Sequence, residues 1–149
     1  GSRKFFWGLR WINIYGKDYN TSDGTCIRDF IHVSDISDIH IKILLKINKI
    51  KKSFILNCGY GSGRSVLDVV KSFKKISKKN LIIRFRPRRT ADLEQIIADV
   101  SKLKKILKWK PKFNNLSLMV KSCINWEKSI KSIYVKNWKN LNQACWCFY

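Results

Sequence analysis

The chain has 149 residues, 45% of them hydrophobic and 28% charged, with a formal net charge of +21. That length suits one domain with a buried core, and that balance excludes a disordered or fibrous polypeptide. No apolar run reaches the ~18 residues of a membrane span, and the basic-then-apolar start, Arg3-Lys4-Phe5-Phe6-Trp7, is too short and interrupted for a secretory signal.

In chain order, the apolar stretch Trp11 to Tyr15 reads as a strand ending at Gly16. Asp18, Asn20, Ser22, Asp23 and Gly24 are turn formers and mark a loop over 17–25. Arg28 to Val33 has mixed strand character. Ser34 or Asp35 caps a helix whose face carries Ile36, Ile39, Ile43, Leu44 and Ile47, and the lysines from Lys46 to Lys52 end it. Ser53 to Cys58 reads as a buried strand, followed by the glycine-rich turn Gly59-Tyr60-Gly61-Ser62-Gly63-Arg64. Ser65 caps a helix with Val66, Val69, Val70, Phe73 and Ile76 on its apolar side. Leu81 to Phe85 is a third strand, broken by Arg86-Pro87-Arg88-Arg89 because proline fixes φ and restrains its predecessor. Asp99 or Ser101 caps a short helix with Leu103, Ile106 and Leu107. Trp109-Lys110-Pro111 closes it, and a last helix runs from Leu116 to about Ser129. The order is that of an α/β domain with short strands and about four helices.

Three segments hold chemistry-bearing residues. A strand, a Gly-x-Gly-x-Gly turn and a helix point toward a phosphate at a helix N-terminus. Gly63 is followed by Arg64 and Ser65, however, so the dinucleotide fingerprint is incomplete and the turn reads as structural. Arg86-Pro87-Arg88-Arg89-Thr90-Ala91-Asp92 offers guanidinium forks that match phosphate oxygens; a solvated basic loop is its plain alternative. Arg28 sits between a turn and an apolar segment, so either Asp29 or a bound anion must satisfy it. These residues taken alone leave that choice open.

The run Tyr15-Gly16-Lys17-Asp18-Tyr19-Asn20-Thr21-Ser22-Asp23-Gly24-Thr25-Cys26-Ile27-Arg28-Asp29-Phe30-Ile31-His32-Val33-Ser34-Asp35 resembles a segment of the UDP-glucose 4-epimerases. So do Asn57 to Val70 around the glycine turn, Pro87-Arg88-Arg89-Thr90-Ala91-Asp92, Ala98-Asp99-Val100-Ser101-Lys102 and Leu107-Lys108-Trp109-Lys110-Pro111, in the family's order and spacing. The resemblance covers roughly Ile12 to Trp126. It divides the chain into an unmatched segment 1–11, a UDP-sugar-binding domain 12–130 and an unmatched tail 131–149. It implies the C-terminal part of a Rossmann-type extended short-chain dehydrogenase. Arg28 and Arg89 then match the arginines on the UDP diphosphate, Asp92 an aspartate on the ribose, and Asn13 and Tyr15 positions beside the uracil. The implied activity is interconversion of UDP-glucose and UDP-galactose in galactose metabolism. In the full-length family NAD takes the C4 hydride and a tyrosine takes the hydroxyl proton. This chain has no Tyr-x-x-x-Lys and no complete glycine fingerprint, so the expectation is a fragment that binds no NAD and is inactive alone. Ala91 stands where the family has glycine, and Ile96 where some members have tyrosine. Strands severed from a larger sheet predict marginal stability and association. A homodimer as in the family is a further implied partner. Another nucleotide-sugar dehydratase or decarboxylase is the alternative; His32 in Ile31-His32-Val33-Ser34-Asp35 favours the 4-epimerase branch.

The charge admits a third reading, a basic module that binds RNA. Against it, 23 of the 31 basic residues are lysines scattered along the chain, and Ile, Asn and Lys share A/T-rich codons, so compositional drift accounts for them. No zinc-finger spacing or RNA-binding sheet signature accompanies them, and nonspecific RNA adhesion is the expectation that remains. Cys26, Cys58, Cys123, Cys145 and Cys147 are odd in number and lack C-x-x-C spacing, which points to reduced thiols in the cytoplasm and no structural zinc.

Overall fold

A computed structural model describes residues 11–49 and 53–134. The segment before Trp11, most of the tail after Ser129, and Cys145 and Cys147 with it, lie outside the described residues. The strands are β1 (Trp11–Tyr15), β2 (Ile27–Arg28), β3 (Arg64–Ser65), β4 (Ile82–Arg86) and β5 (Gln95–Ile96). The helices are α1 (Val33–Leu44), α2 (Val66–Ser77), α3 (Ser101–Leu107) and α4 (Leu116–Tyr134), with a 3-10 turn over Ile47–Lys49. This is the α/β class with short strands and four helices.

Two small sheets form. β1 and β4 pair in parallel, with Asn13 opposite Arg84 and Tyr15 opposite Arg86. β2 lies between β3, antiparallel, and β5, parallel, with Arg28 opposite Arg64 on one side and Ile96 on the other. One core, of Ile14, Val70 and Leu81, fills the space between the first sheet and α2. A larger one joins Ile39 of α1 to Leu103 and Leu107 of α3 through Tyr60, Val100 and Trp109. The α4 helix packs along α2.

Three expectations need correction. Arg28 to Val33 is strand only at its start, because helix α1 begins at Val33. The cap of α1 is His32 rather than Ser34 or Asp35: its Nδ1 accepts the Ser34 N–H at 3.1 Å. That leaves the proton on Nε2, 2.8 Å from Ser122 Oγ on α4, while the ring stacks on Phe113 at 4.7 Å. Asp35 is spent elsewhere. It is 0% exposed and accepts from Tyr60 Oη at 2.7 Å and from the N–H groups of Lys112 and Phe113 at 3.1 and 3.0 Å. Ser53 to Cys58 is not a buried strand either. Leu56 and Cys58 pack on the larger core with a period of two, but no described strand pairs with the segment, and Ile55 is 83% exposed. A strand needs a ladder partner as well as an alternating pattern.

The glycine turn is shaped by Asp29. Its carboxylate accepts the N–H of Tyr60 at 3.0 Å and those of Gly61 and Ala98 at 2.9 and 3.4 Å. The start of α2 is closed in the same manner: Ser65 Oγ accepts from Asp68 N and Thr25 Oγ1 from Leu67 N. Asp23 holds both caps, accepting from Thr25 and from Ser65 Oγ. Among the described residues no helix is long and apolar enough to cross a membrane.

Candidate functional site

The connection from β4 to β5 determines what meets what. β4 is hydrogen-bonded to β1, which carries Asn13 and Tyr15, and β5 to β2, which carries Arg28. The loop between them must therefore cross from one sheet to the other, and it carries Arg89 and Asp92 across the gap. Asp92 ends between two guanidinium groups. Arg89 Nε donates to its Oδ2 at 2.8 Å, and Arg28 Nη2 lies 3.7 Å from its Oδ1. The Arg89 guanidinium also covers the Tyr15 ring, 5.0 Å from the centroid. The hydrogen bond to Asp92 holds Arg89 still more firmly charged.

The two arginines differ in freedom. Arg28 is 13% exposed at the side chain and is anchored by donating to its neighbour's carbonyl, Ile27 O, at 2.8 Å. Arg89 is 62% exposed and, among the described residues, meets Asp92 and the Tyr15 ring. One largely buried guanidinium and one largely exposed guanidinium thus reach a single carboxylate.

Of the sequence-derived candidates, Arg28, Arg89, Asp92 and Tyr15 come together. Asn13 lies one strand repeat before Tyr15 on the same face of β1, and its Oδ1 accepts from Arg86 Nε at 3.4 Å, so it joins the cluster's edge through Arg86. The pairing of Arg28 with Asp29 is not made. Asp29 faces the glycine turn, and the acidic partner comes from 64 residues further along the chain, at Asp92.

Two features were not singled out from the sequence. Arg88 pairs with Asp18 and covers the Tyr19 ring at 4.1 Å, walling one side of the same loop. Cys26 is buried, 6% exposed, just before β2. The only signal for either lay in long-range pairing. The described residues hold no cluster of His, Cys, Asp and Glu suited to a metal ion.

No protein-family model matches the chain. Individual proteins do. The UDP-glucose 4-epimerase of Azospirillum brasilense is 42% identical over 120 residues, which is 80% of this chain and 34% of that protein. The solved UDP-Glc/GlcNAc 4-epimerase of Campylobacter jejuni matches with a TM-score of 0.75 at 42% identity, over 83% of this chain and 37% of its own.

The chain belongs to the UDP-glucose 4-epimerase family.

It matches the C-terminal part of these Rossmann-type structures. Another member, the UDP-glucose 4-epimerase of Bifidobacterium longum solved in complex with NAD+ and UDP, gives a TM-score of 0.72 at 37% identity, over 82% of this chain and 36% of that one. The chain spans about a third of the length of the family members it matches. Within it, the Tyr60 and Gly61 N–H groups of the glycine turn are bonded to Asp29, and the Leu67 and Asp68 N–H groups at the start of α2 to Thr25 and Ser65.

Proposed function

We propose that this chain is the part of a UDP-glucose 4-epimerase that grips the nucleotide of UDP-glucose and UDP-galactose. Arg28 and Arg89 take the diphosphate, Asp92 a ribose hydroxyl, and Tyr15 and Asn13 flank the uracil. The observation that supports this is the single carboxylate of Asp92 reached by both guanidinium groups, at 2.8 and 3.7 Å. A diphosphate carries more charge and more acceptor oxygens than a carboxylate, so it competes well for both forks. A firm hold on the nucleotide leaves the sugar free to turn over, and the reaction needs that turn.

NAD supplies hydride transfer in the whole enzyme, and residues outside those described hold it. The present chain alone binds nucleotide without turnover. Homodimerisation as in the family, a reducing cytoplasmic setting for the free thiols Cys26, Cys58 and Cys123, and salt-sensitive adhesion to RNA through the lysine-rich surface complete the reading.

Equilibrium dialysis with labelled UDP-glucose tests it. The chain should bind, and an Arg28→Ala, Arg89→Ala double variant should lose about 100-fold or more, since hydrogen bonds to charged groups contribute about 1.5–3 kcal/mol each. Equal binding by both would refute the assignment of the site.

A further inference from the structure

One face of the β1–β4 pair is open. Ile12, Ile14 and Ile83 pack into the core shared with Val70 of α2. The alternate positions, Trp11, Asn13 and Tyr15 on β1 and Ile82, Arg84 and Arg86 on β4, share the other face, and all six are exposed. Parallel strands usually read as apolar runs, because helices cover both of their faces. This face instead interleaves rings and cations. The Arg84 guanidinium lies over the Trp11 ring, 4.4 Å from its centroid, and that of Arg89 over Tyr15 at 5.0 Å. Between these two stacks, Arg86 Nε donates to Asn13 Oδ1 at 3.4 Å.

The charge on this face is unanswered. Residues 11–17 and 82–91 hold no carboxylate, and among the described residues neither Arg84 nor Arg86 has an ion-pair partner. An apolar layer laid over them would bury two unpaired charges, which is costly. Drift toward A/T-rich codons supplies lysine rather than arginine, yet Arg84, Arg86, Arg88 and Arg89 are four of the chain's eight arginines. A guanidinium, unlike an ammonium, stacks on flat rings and meets phosphate oxygens with paired donors. The fitting partner is an anion that also offers flat faces. An anionic bilayer would call for an amphipathic helix with a broad apolar face. A duplex keeps its bases stacked inside, whereas a single strand opens them to aromatic and guanidinium planes.

We propose that this face binds single-stranded RNA, with one base stacked at Trp11 and Arg84, another at Tyr15, and phosphates on Arg86 and Arg89. Trp11 and Tyr15 lie about 13 Å apart along β1, so the strand runs extended beside it. The inference shares Tyr15 and Arg89 with the nucleotide reading above but stands on Trp11 and Arg84, which that reading leaves without a role. It also gives RNA adhesion a defined place instead of the whole basic surface.

Fluorescence anisotropy of a labelled decauridylate titrated with the 149-residue chain tests it. Trp11→Ala should weaken binding about fivefold or more, the loss of one stacked base, and leave UDP affinity unchanged. Arg86→Gln should lower the slope of log affinity against log salt by about 0.7, one phosphate contact on a single strand. Arg86 is exposed and lies off the core, so this second variant keeps the test valid if Trp11→Ala lowers stability. A Lys104→Gln, Lys105→Gln variant on the exposed side of α3 should change neither quantity. Wild-type RNA affinity in a folded Trp11→Ala chain or an unchanged salt slope in Arg86→Gln would overturn the proposal. So would an equal loss in the lysine variant, or tighter binding of a duplex than of the single strand. If decauridylate does not bind while UDP does, only this inference fails. If decauridylate binds through Trp11 while UDP does not bind, only the nucleotide reading fails.

Discussion

Replacing Asp35 tests the framework behind the site. This carboxylate is 0% exposed and joins three elements: the first turn of α1, the glycine turn through Tyr60 Oη at 2.7 Å, and the connection before α4 through the N–H groups of Lys112 and Phe113 at 3.1 and 3.0 Å. Asp35→Ala removes the acceptor and leaves one O–H and two N–H donors facing apolar surroundings. Each such bond to a charged group contributes about 1.5–3 kcal/mol, and relaxation recovers part, so a loss of about 4 kcal/mol is expected. Against a total of roughly 5–15 kcal/mol for a domain, that is enough to unfold much of the population. Asp35→Asn is milder. One oxygen still serves Tyr60 and Phe113, while the amide nitrogen faces the Lys112 N–H, for a loss of about 2 kcal/mol. Urea unfolding followed by far-UV circular dichroism measures both. A loss below about 1 kcal/mol for Asp35→Ala would refute the reasoning, because it would mean that the three donors find other acceptors or water at no cost.

Other consequences are equally direct. Ala91 has φ +67° and stands where the family pattern has glycine, so Ala91→Gly should raise stability by roughly 0.5–1 kcal/mol in a urea titration, after the larger entropy of the unfolded glycine chain is subtracted. Gly16 has φ +84° and touches the Tyr19 ring, so Gly16→Ala should cost about 2 kcal/mol or more in the same assay and weaken UDP binding with it. Burial pushes the Asp23 carboxyl up, but hydrogen bonds from Ser65 and Thr25 outweigh it and leave its pKa below the ordinary 3.8. A depressed native pKa means stability that is present above the unfolded value and lost as pH falls through the native one. The urea midpoint should therefore drop with acidification at and below pH 3.8, and Asp23→Asn should flatten that limb.

Much of this architecture is readable in the residues, and the exceptions share a cause. β1, the loop after it, α2 with its Ser65 cap, and β4 follow from local pattern and lie within a residue or two of expectation. β3 and β5 have two residues each and exist only because β2 lies between them, so no local period announces them. His32 as a cap is legible only once Ser122 of α4 and Phe113 are known to hold its ring. The site shows the same division. Arg28, Arg89, Asp92, Tyr15 and Asn13 come from segment resemblance, whereas physics applied to the sequence alone left Arg28 with Asp29 or a ligand. The actual partner, Asp92, depends on the β4–β5 loop crossing between two sheets, which is a tertiary fact.

The central claim is that Arg28 and Arg89 act on one bound anion, and a double-mutant cycle on UDP affinity measures that. Arg28→Ala, Arg89→Ala and the double variant are titrated with UDP, using heat of binding or dialysis. The account predicts large single losses and a coupling between them of at least about 0.5 kcal/mol, since both forks share one diphosphate. Losses that simply add, or an affinity that neither substitution changes, would contradict it.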